Sequence, residues 1–442
     1  MRREKGAVVS SAVHSSFDTI VVGTGPGGAT VARELSRRGH RVLMLERGRN
    51  DPIRGSVWQT NRDLLWPGRG LSFTPELCSV CRGITTGGSS IFYCATAFDP
   101  PFEMFRRHGI ELADEVEELR TELPCGPLTQ DLIGPFAGAI MTSARDLGYD
   151  WRPLDKLVFQ EDCRAECDRC FMGCPYGAKW TSRVFVDEAV KNGAVLATQA
   201  RVRRVFTVNG SVAGVEALVK GERRRLEAPQ VILSAGGIGS AEILQASGHT
   251  GVGRDFFFDP LVAVTGVLPE IEGGREFPMA AGIHLEEDGC VLTDLTWPRW
   301  MYQFFASSVL RFDRVHAHRN TAVIMVKIRD ELDGRLTRRG GIRKRLTRAD
   351  REKLRRGTVH ARRILANAGA RHIFTTRVMA THPGGTAKVG DVVDTDLQTA
   401  FDGLFVCDCS VIPESWGLPP TLTILALGTR LGKHLGATPA AV

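Results

Sequence analysis

The segment FDTIVVGTGPGGATVARELSRRGHRVLMLERG, residues 17–48, leaves little freedom in how this chain begins to fold. Residues 20–22 form a short β-branched apolar run of the kind that becomes a buried strand, and Gly23, Gly25 and Gly28 follow where that strand must turn into a helix. A second apolar run, residues 42–45, ends in Glu46. The pattern is a βαβ unit. Gly23 permits the tight turn, Gly25 lets a pyrophosphate approach the backbone, and Gly28 lets the helix pack against the strand. The free N–H groups at the helix start face the phosphates. Glu46 can accept both hydroxyls of a ribose, which argues against a 2′-phosphorylated nucleotide, whose binding calls for an arginine. NAD and FAD both remain open at this point.

The chain has 442 residues, enough for two domains and a large buried cofactor, and its 43% apolar and 24% charged composition with 48 glycines is that of an α/β globular protein. The net charge of +7 is uneven. Residues 327–356 carry thirteen Lys or Arg against five acids. Without a nucleic-acid docking motif, that run reads as a solvated helix and its approach loop. No stretch of about 18 apolar residues exists, so no transmembrane segment is expected. Residues 1–16 read as a disordered arm without signal-peptide character, and the expected location is the cytoplasm. Seven of eleven cysteines fall in two groups, Cys78, Cys81 and Cys94, then Cys163, Cys167, Cys170 and Cys174. In a reducing compartment such clustering suggests metal or redox chemistry over disulfides.

Further motifs bring the sequence close to the glucose-methanol-choline (GMC) family of FAD-dependent oxidoreductases. CRGITTGGSSIFY, residues 81–93, resembles the family's flavin-wrapping loop, with Gly87, Gly88, Ser89 and Ser90 beside the cofactor. Residues 199–217 resemble the hairpin that sets a residue, here Val202, against the adenine. VILSAGGIGSAEILQASG, residues 231–248, is similar to the second family signature, with Ala235 and Gly236 at its turn. The stretch from Thr381 to Leu435 matches the family's order of histidine, G-T pair, strand ending in an aspartate, and P-T-x-T helix start. By this resemblance Asp408 lies near the flavin diphosphate and ribityl chain, and Pro420 and Thr421 start a helix near the pyrimidine ring. The resemblance implies FAD and an α/β fold: a Rossmann-like FAD-binding domain (17–100, 159–260 and 372–437) and a discontinuous α+β substrate-binding domain (101–158 and 261–371).

Oxidation of a C–OH group needs a base for the hydroxyl proton, and His382 occupies the family's catalytic position. The family's second polar residue, Asn or His, is replaced by Pro419, which has no side-chain donor. Tyr93 is the expected substitute, unless the substrate supplies its own polar group. The aromatic segment 296–312 reads as core strand packing or as an apolar cavity wall for a hydrophobic alcohol. Residues 346–370 read as an amphipathic helix with a Thr347–Asp350 capping box. The implied activity is an FAD-dependent dehydrogenase that oxidises a small alcohol and passes electrons to a non-oxygen acceptor, a protein or quinone. An alcohol oxidase, a flavin lyase and a flavin/iron–sulfur electron-transfer protein are the alternatives.

The run C-x3-C-x2-C-x3-C-P at Cys163, Cys167, Cys170 and Cys174 approaches a ferredoxin ligand spacing, so an iron–sulfur cluster is one reading. A closed zinc site is a second, and buried free thiols a third. The resemblance accounts only for the end of the segment: Gly173, Cys174, Gly177, Ala178 and Lys179 match a family G-C-x-x-G-A-K element.

Overall fold

A computed structural model describes residues 17–337 and 341–437; the expected N-terminal arm, 1–16, lies outside the described residues. The βαβ unit is β1 (Thr19–Val22), α1 (Pro26–Arg37) and β2 (Val42–Glu46). It extends into a five-stranded parallel sheet through β3 (Val195–Thr198), β4 (Gln230–Leu233) and β5 (Leu404–Val406), in the order β5-β4-β1-β2-β3. Helix α2 (Gly236–Ala246) follows β4, and α3 (Thr421–Gly436) closes the domain. Every residue of β1 and β2 is buried, as expected for parallel strands covered on both faces.

Backbone contact fixes how these layers meet. A methyl group added at Gly27 would stand 1.9 Å from the Cys407 carbonyl oxygen, and one at Gly28 would stand 2.1 Å from the Gly23 oxygen. Helices α1 and α3 approach just as closely, because a methyl at Gly432 would lie 2.4 Å from Cβ of Glu34. Gly23 itself has φ 98°, a left-handed conformation that side chains resist.

The second lobe is built on a larger, mainly antiparallel sheet. Its central strands are Pro260–Val267, Thr321–Ile328, Cys290–Asp294 and Ala281–Leu285. Strands Leu71–Phe73, Ser79–Cys81 and Met379–Ala380 join one edge, and Arg371–Thr375 also pairs with Pro260–Val267. These come from segments that the sequence assigned to the cofactor domain, so the sheet runs across the expected boundaries at 100/101 and 371/372. Such pairings join strands about 300 residues apart in sequence, and local pattern carries no trace of them.

The strand Thr321–Ile328 is buried along its whole length, and its two faces do different work. Ala322, Ile324 and Val326 lie under the helix Arg348–Asn367, which begins with the expected Thr347–Asp350 capping box. Val323, Met325 and Lys327 point to the opposite face. There Val323 and Met325 join Leu261, Ala263, Met279, Trp297 and Met301 in a separate apolar cluster. The aromatic segment covering this cluster is a helix, Arg299–Ser308, and not the core strand expected from its composition. Its Phe304 is 63% exposed while Tyr302 is buried, so only one side of the helix belongs to the core. The basic run also differs from the expected solvated surface, because Lys327 and Lys344 are buried in ion pairs. No described helix is long and apolar enough to cross a membrane.

Gly27→Ala should test the backbone packing. The added carbon has nowhere to go, so a loss of at least 1–3 kcal/mol is expected. Chemical denaturation should register the loss, and the purified protein should retain less flavin.

Candidate active site

Three helix starts converge at the edge of the parallel sheet; among the described residues no side chain takes the first N–H groups of α1 and α3, while at α2 the Gly236 N–H is taken by Asp408. Gly25 precedes α1, Ala235 precedes α2 and Pro420 precedes α3, and none of the three offers a side-chain cap hydrogen bond. A methyl at Gly25 or Gly236 would meet nothing within 4 Å, in contrast to the crowded Gly23, Gly27 and Gly28. Uncapped N–H groups facing open space suit a bound pyrophosphate and an electron-rich ring. Thr421 is buried at the head of α3, and the hydroxyl of Thr423 one turn on has no partner among the described residues. The site therefore has the donors and the space that FAD requires.

The two acids of the cradle are already braced. Glu46 accepts from the Thr24 hydroxyl at 2.6 Å, the Thr24 N–H at 3.2 Å and the Gly48 N–H at 2.6 Å. Burial pushes its pKa up, and these bonds oppose the rise. Asp408 accepts from Gly236 N–H (2.8 Å), the Ser240 hydroxyl (2.6 Å) and both N–H and hydroxyl of Ser410. It thereby ties the end of β5 to the start of α2. Beside Glu46 the rim carries Arg47 with Arg82 and Arg201 near it, and burial together with these neighbouring cations pushes Arg47 down to about 10. The hairpin bearing the buried Val202 is anchored at the same corner by Gln199 N–H on the Gly48 carbonyl at 2.8 Å.

The flavin-wrapping loop lies directly over the first glycine turn. The Gly87 N–H donates to Thr24 Oγ1 at 3.2 Å, and a methyl at Gly88 would stand 3.0 Å from the Gly25 Cα. Thr24, which the sequence reading passed over, thus connects Glu46 to this loop. Ser89 accepts from Gly83 N–H, and Ser90 donates to the Gly87 carbonyl while accepting from Ser182 N–H. Both hydroxyls shape the loop itself.

His382 sits where the lobes meet. Its loop is seated on α2, since a methyl at Gly237 would lie 1.9 Å from the Pro383 oxygen and the Thr386 hydroxyl donates to the Gly237 carbonyl. Reciprocal backbone bonds between Gly384 and Phe257 join the same loop to the second lobe. The imidazole Nδ1 is 3.2 Å from Oδ2 of Asp259 and 3.4 Å from Nζ of Lys327. Lys327 also lies 3.4 Å from that carboxylate oxygen. Both His382 and Asp259 adopt positive φ, 48° in each case, a strained conformation of the kind that gathers at functional sites. The His382 side chain remains 30% exposed while Asp259 is 2% exposed, so the imidazole alone reaches open space. Burial and then Lys327 lower the histidine's pKa; Asp259 acts in the other direction.

Asp259 and Lys327 were missed in the sequence. The signal for Lys327 was a single charge inside the apolar run TAVIMVKI. Asp259 follows three phenylalanines and carried no comparable signal. Tyr93 does not fill the role expected of it. The hydroxyl of this partly buried residue donates to the Trp180 carbonyl at 2.8 Å.

Cys163, Cys167, Cys170 and Cys174 do gather around one cavity, together with Tyr176, Lys179 and Phe277. Its volume is about 10 Å³, room for one water at most. No three His, Cys, Asp or Glu among the described residues are arranged to hold a metal ion. Burial pushes Cys163 up to about 11. As they stand, these residues do not fit an iron–sulfur cluster or a zinc ion. The family-type Lys179 has a structural role: its ammonium donates to the carbonyls of Ile91 (2.9 Å), Tyr93 (2.9 Å) and Cys170 (2.6 Å). It fastens the cysteine loop to the flavin loop.

A Rossmann-type cradle with a second sheet lobe closing a histidine against it defines a two-lobed flavoenzyme. The family profile described as GMC oxidoreductase matches residues 17–260 with its N-terminal part and residues 335–428 with its C-terminal part. The chain belongs to the GMC oxidoreductase family; it is an FAD-dependent oxidoreductase. It is similar to an uncharacterised protein of Methanocaldococcus jannaschii, 24% identical over 95% of this chain and 100% of the relative. An uncharacterised GMC-type oxidoreductase of Mycobacterium tuberculosis is 25% identical over 94% of this chain and 75% of the relative. A long-chain-alcohol oxidase of Arabidopsis thaliana is 24% identical over 92% of this chain and 65% of the relative. Among solved structures, pyridoxine 4-oxidase from Mesorbium loti has the same fold, with a TM-score of 0.75 at 18% identity, covering 96% of this chain and 100% of that one.

Lys179→Met would leave the carbonyls of Ile91, Tyr93 and Cys170 without their shared donor. Each stranded buried acceptor costs about 1–3 kcal/mol. Hydrogen exchange should speed up selectively in residues 88–93, and flavin should dissociate more readily.

Proposed function

We propose that the protein oxidises the C–OH group of a small, largely apolar alcohol to a carbonyl, with His382 as the base. The observation that carries this reading is the His382–Asp259 pair at the seam between the lobes. Asp259 accepts the Nδ1 proton, which fixes the neutral tautomer and leaves Nε2 as the free acceptor. Nε2 then takes the substrate hydroxyl proton. FAD, when bound, supplies the hydride acceptor. The starts of α1 and α3, which no side chain caps among the described residues, would hold its negative charge.

The apolar character of the substrate is inferred from the sheet. In the row Val291–Lys327–Leu261–Met379, cross-strand partners share one face, and Met325, Ala263 and Met279 continue that face away from the base. An alcohol lying there would meet methionine and aliphatic carbon beyond its hydroxyl. The names of two similar proteins, a long-chain-alcohol oxidase and pyridoxine 4-oxidase, support oxidation of an alcohol in general terms. A non-oxygen electron acceptor is part of the proposal, resting on the thiol-rich composition alone.

An anaerobic panel of primary and ring-bearing alcohols should bleach the flavin absorbance, and His382→Ala should slow that bleaching by at least 10²-fold. Retained bleaching in the variant would remove His382 as base; a panel with no active alcohol would remove the substrate class. Because the His382 pKa is lowered, its neutral form persists below the ordinary value of about 6.5. The rate should therefore hold through pH 6.5 and fall only as the pH drops through that lowered pKa.

A further inference from the structure

We propose that Lys327 is a positioning residue of this site: its ammonium shares one oxygen of Asp259 with the imidazole and so sets how tightly the base holds a proton. This rests on the reading of His382 as base.

The geometry is unusual in its economy. Oδ1 of Asp259 is buried and has no hydrogen-bond partner among the described residues. All compensation of the carboxylate therefore passes through Oδ2, which lies 3.4 Å from Lys327 Nζ and 3.2 Å from His382 Nδ1. The two nitrogens are themselves 3.4 Å apart. Lys327 and Asp259 side chains are 1% and 2% exposed, so bulk water screens little of the charge on this pair. Two cations sharing one anionic oxygen repel each other. A proton added to His382 must be borne next to the ammonium.

A buried ion pair is weak grounds for stability, because apolar residues of similar volume often serve as well. The neighbours Met325, Leu261 and Met379 are such residues. A lysine buried near the end of this strand therefore points to a role in the adjoining site.

The other titratable groups facing the spot have their own balance. Asp330 pairs with Lys344 at 3.1 Å and accepts from the N–H groups of Phe258 and Asp259. His284, two strands away in the same cross-strand row, has its pKa lowered chiefly by burial; Glu286 opposes the shift, and Arg329 and Lys327 add to it. Burial holds the Cys409 thiol, which faces Asp259 and Asp408, in its neutral form. The ammonium of Lys327 is the cation shared with the histidine through Asp259.

The test uses FAD-loaded enzyme with 15N-labelled histidine, the His382 signal being assigned by its loss in His382→Ala. In Lys327→Gln the His382 titration midpoint should rise by about one to two pH units, the size expected when a charge within 4–6 Å is removed. The acid limb of the alcohol rate profile should rise with it. Lys327→Arg, which keeps the charge, should restore both toward wild type. An unchanged midpoint in folded Lys327→Gln would overturn the proposal. Should that variant not fold, wild-type protein labelled at the lysine side chain suffices. The Lys327 15Nζ signal should move through the His382 midpoint, and a flat signal there would equally overturn it. The titration is read without turnover, so it stands apart from the fate of the base assignment, which His382→Ala kinetics decides.

Discussion

The contact between the first turn of α1 and the carbonyl of Cys407 sets the frame for everything else. With only 1.9 Å left for a side-chain carbon at Gly27, the helix start is locked against the segment that leaves β5. That segment carries Asp408, whose carboxylate grips the start of α2 through Gly236 and Ser240. Helix α2 in turn seats the His382 loop through Gly237. A chain of close contacts, backbone packing joined by the buried Asp408 carboxylate, thus runs from the pyrophosphate cradle to the His382 loop. Precision of this kind suits a site where a misplacement of about 1 Å costs orders of magnitude in rate.

The second lobe adds chemistry to that frame. Strand alternation sends Val323, Met325 and Lys327 to one face, so the same strand furnishes an apolar wall and, at its end, a cation. Asp259 stands at the head of the partner strand, in a strained backbone conformation that the buried Asp330–Lys344 pair helps to hold. Polar groups that would weaken an ordinary core are concentrated beside His382, whose side chain is 30% exposed.

The cysteine loop has a different character. Its thiols line a cavity that water could barely enter, and Lys179 binds its backbone to the flavin loop. The loop acts as a buttress behind the cofactor. The Trp300 indole N–H on the Met172 sulfur extends the same support to the aromatic helix above the apolar wall.

The sequence by itself determined the βαβ unit, the dinucleotide cradle and both glycine turns, and it singled out His382 as the candidate base. Each of these depends on residues close together in the chain, where a strand, a glycine and a helix start leave a spacing that can be read directly. The aromatic segment was misread because helix and strand bury aromatic residues equally well, and the four-cysteine spacing because ligation needs converging sulfurs and not merely a sequence interval. Tyr93 was a reasonable donor until its proton was found on Trp180. Only the tertiary structure decided the lobe boundaries and the Asp259–Lys327 pair. Strand pairing brings residues 259, 327 and 382 together over separations of more than fifty positions, and the ion pair exists only once burial has removed the water that would otherwise hold those charges apart.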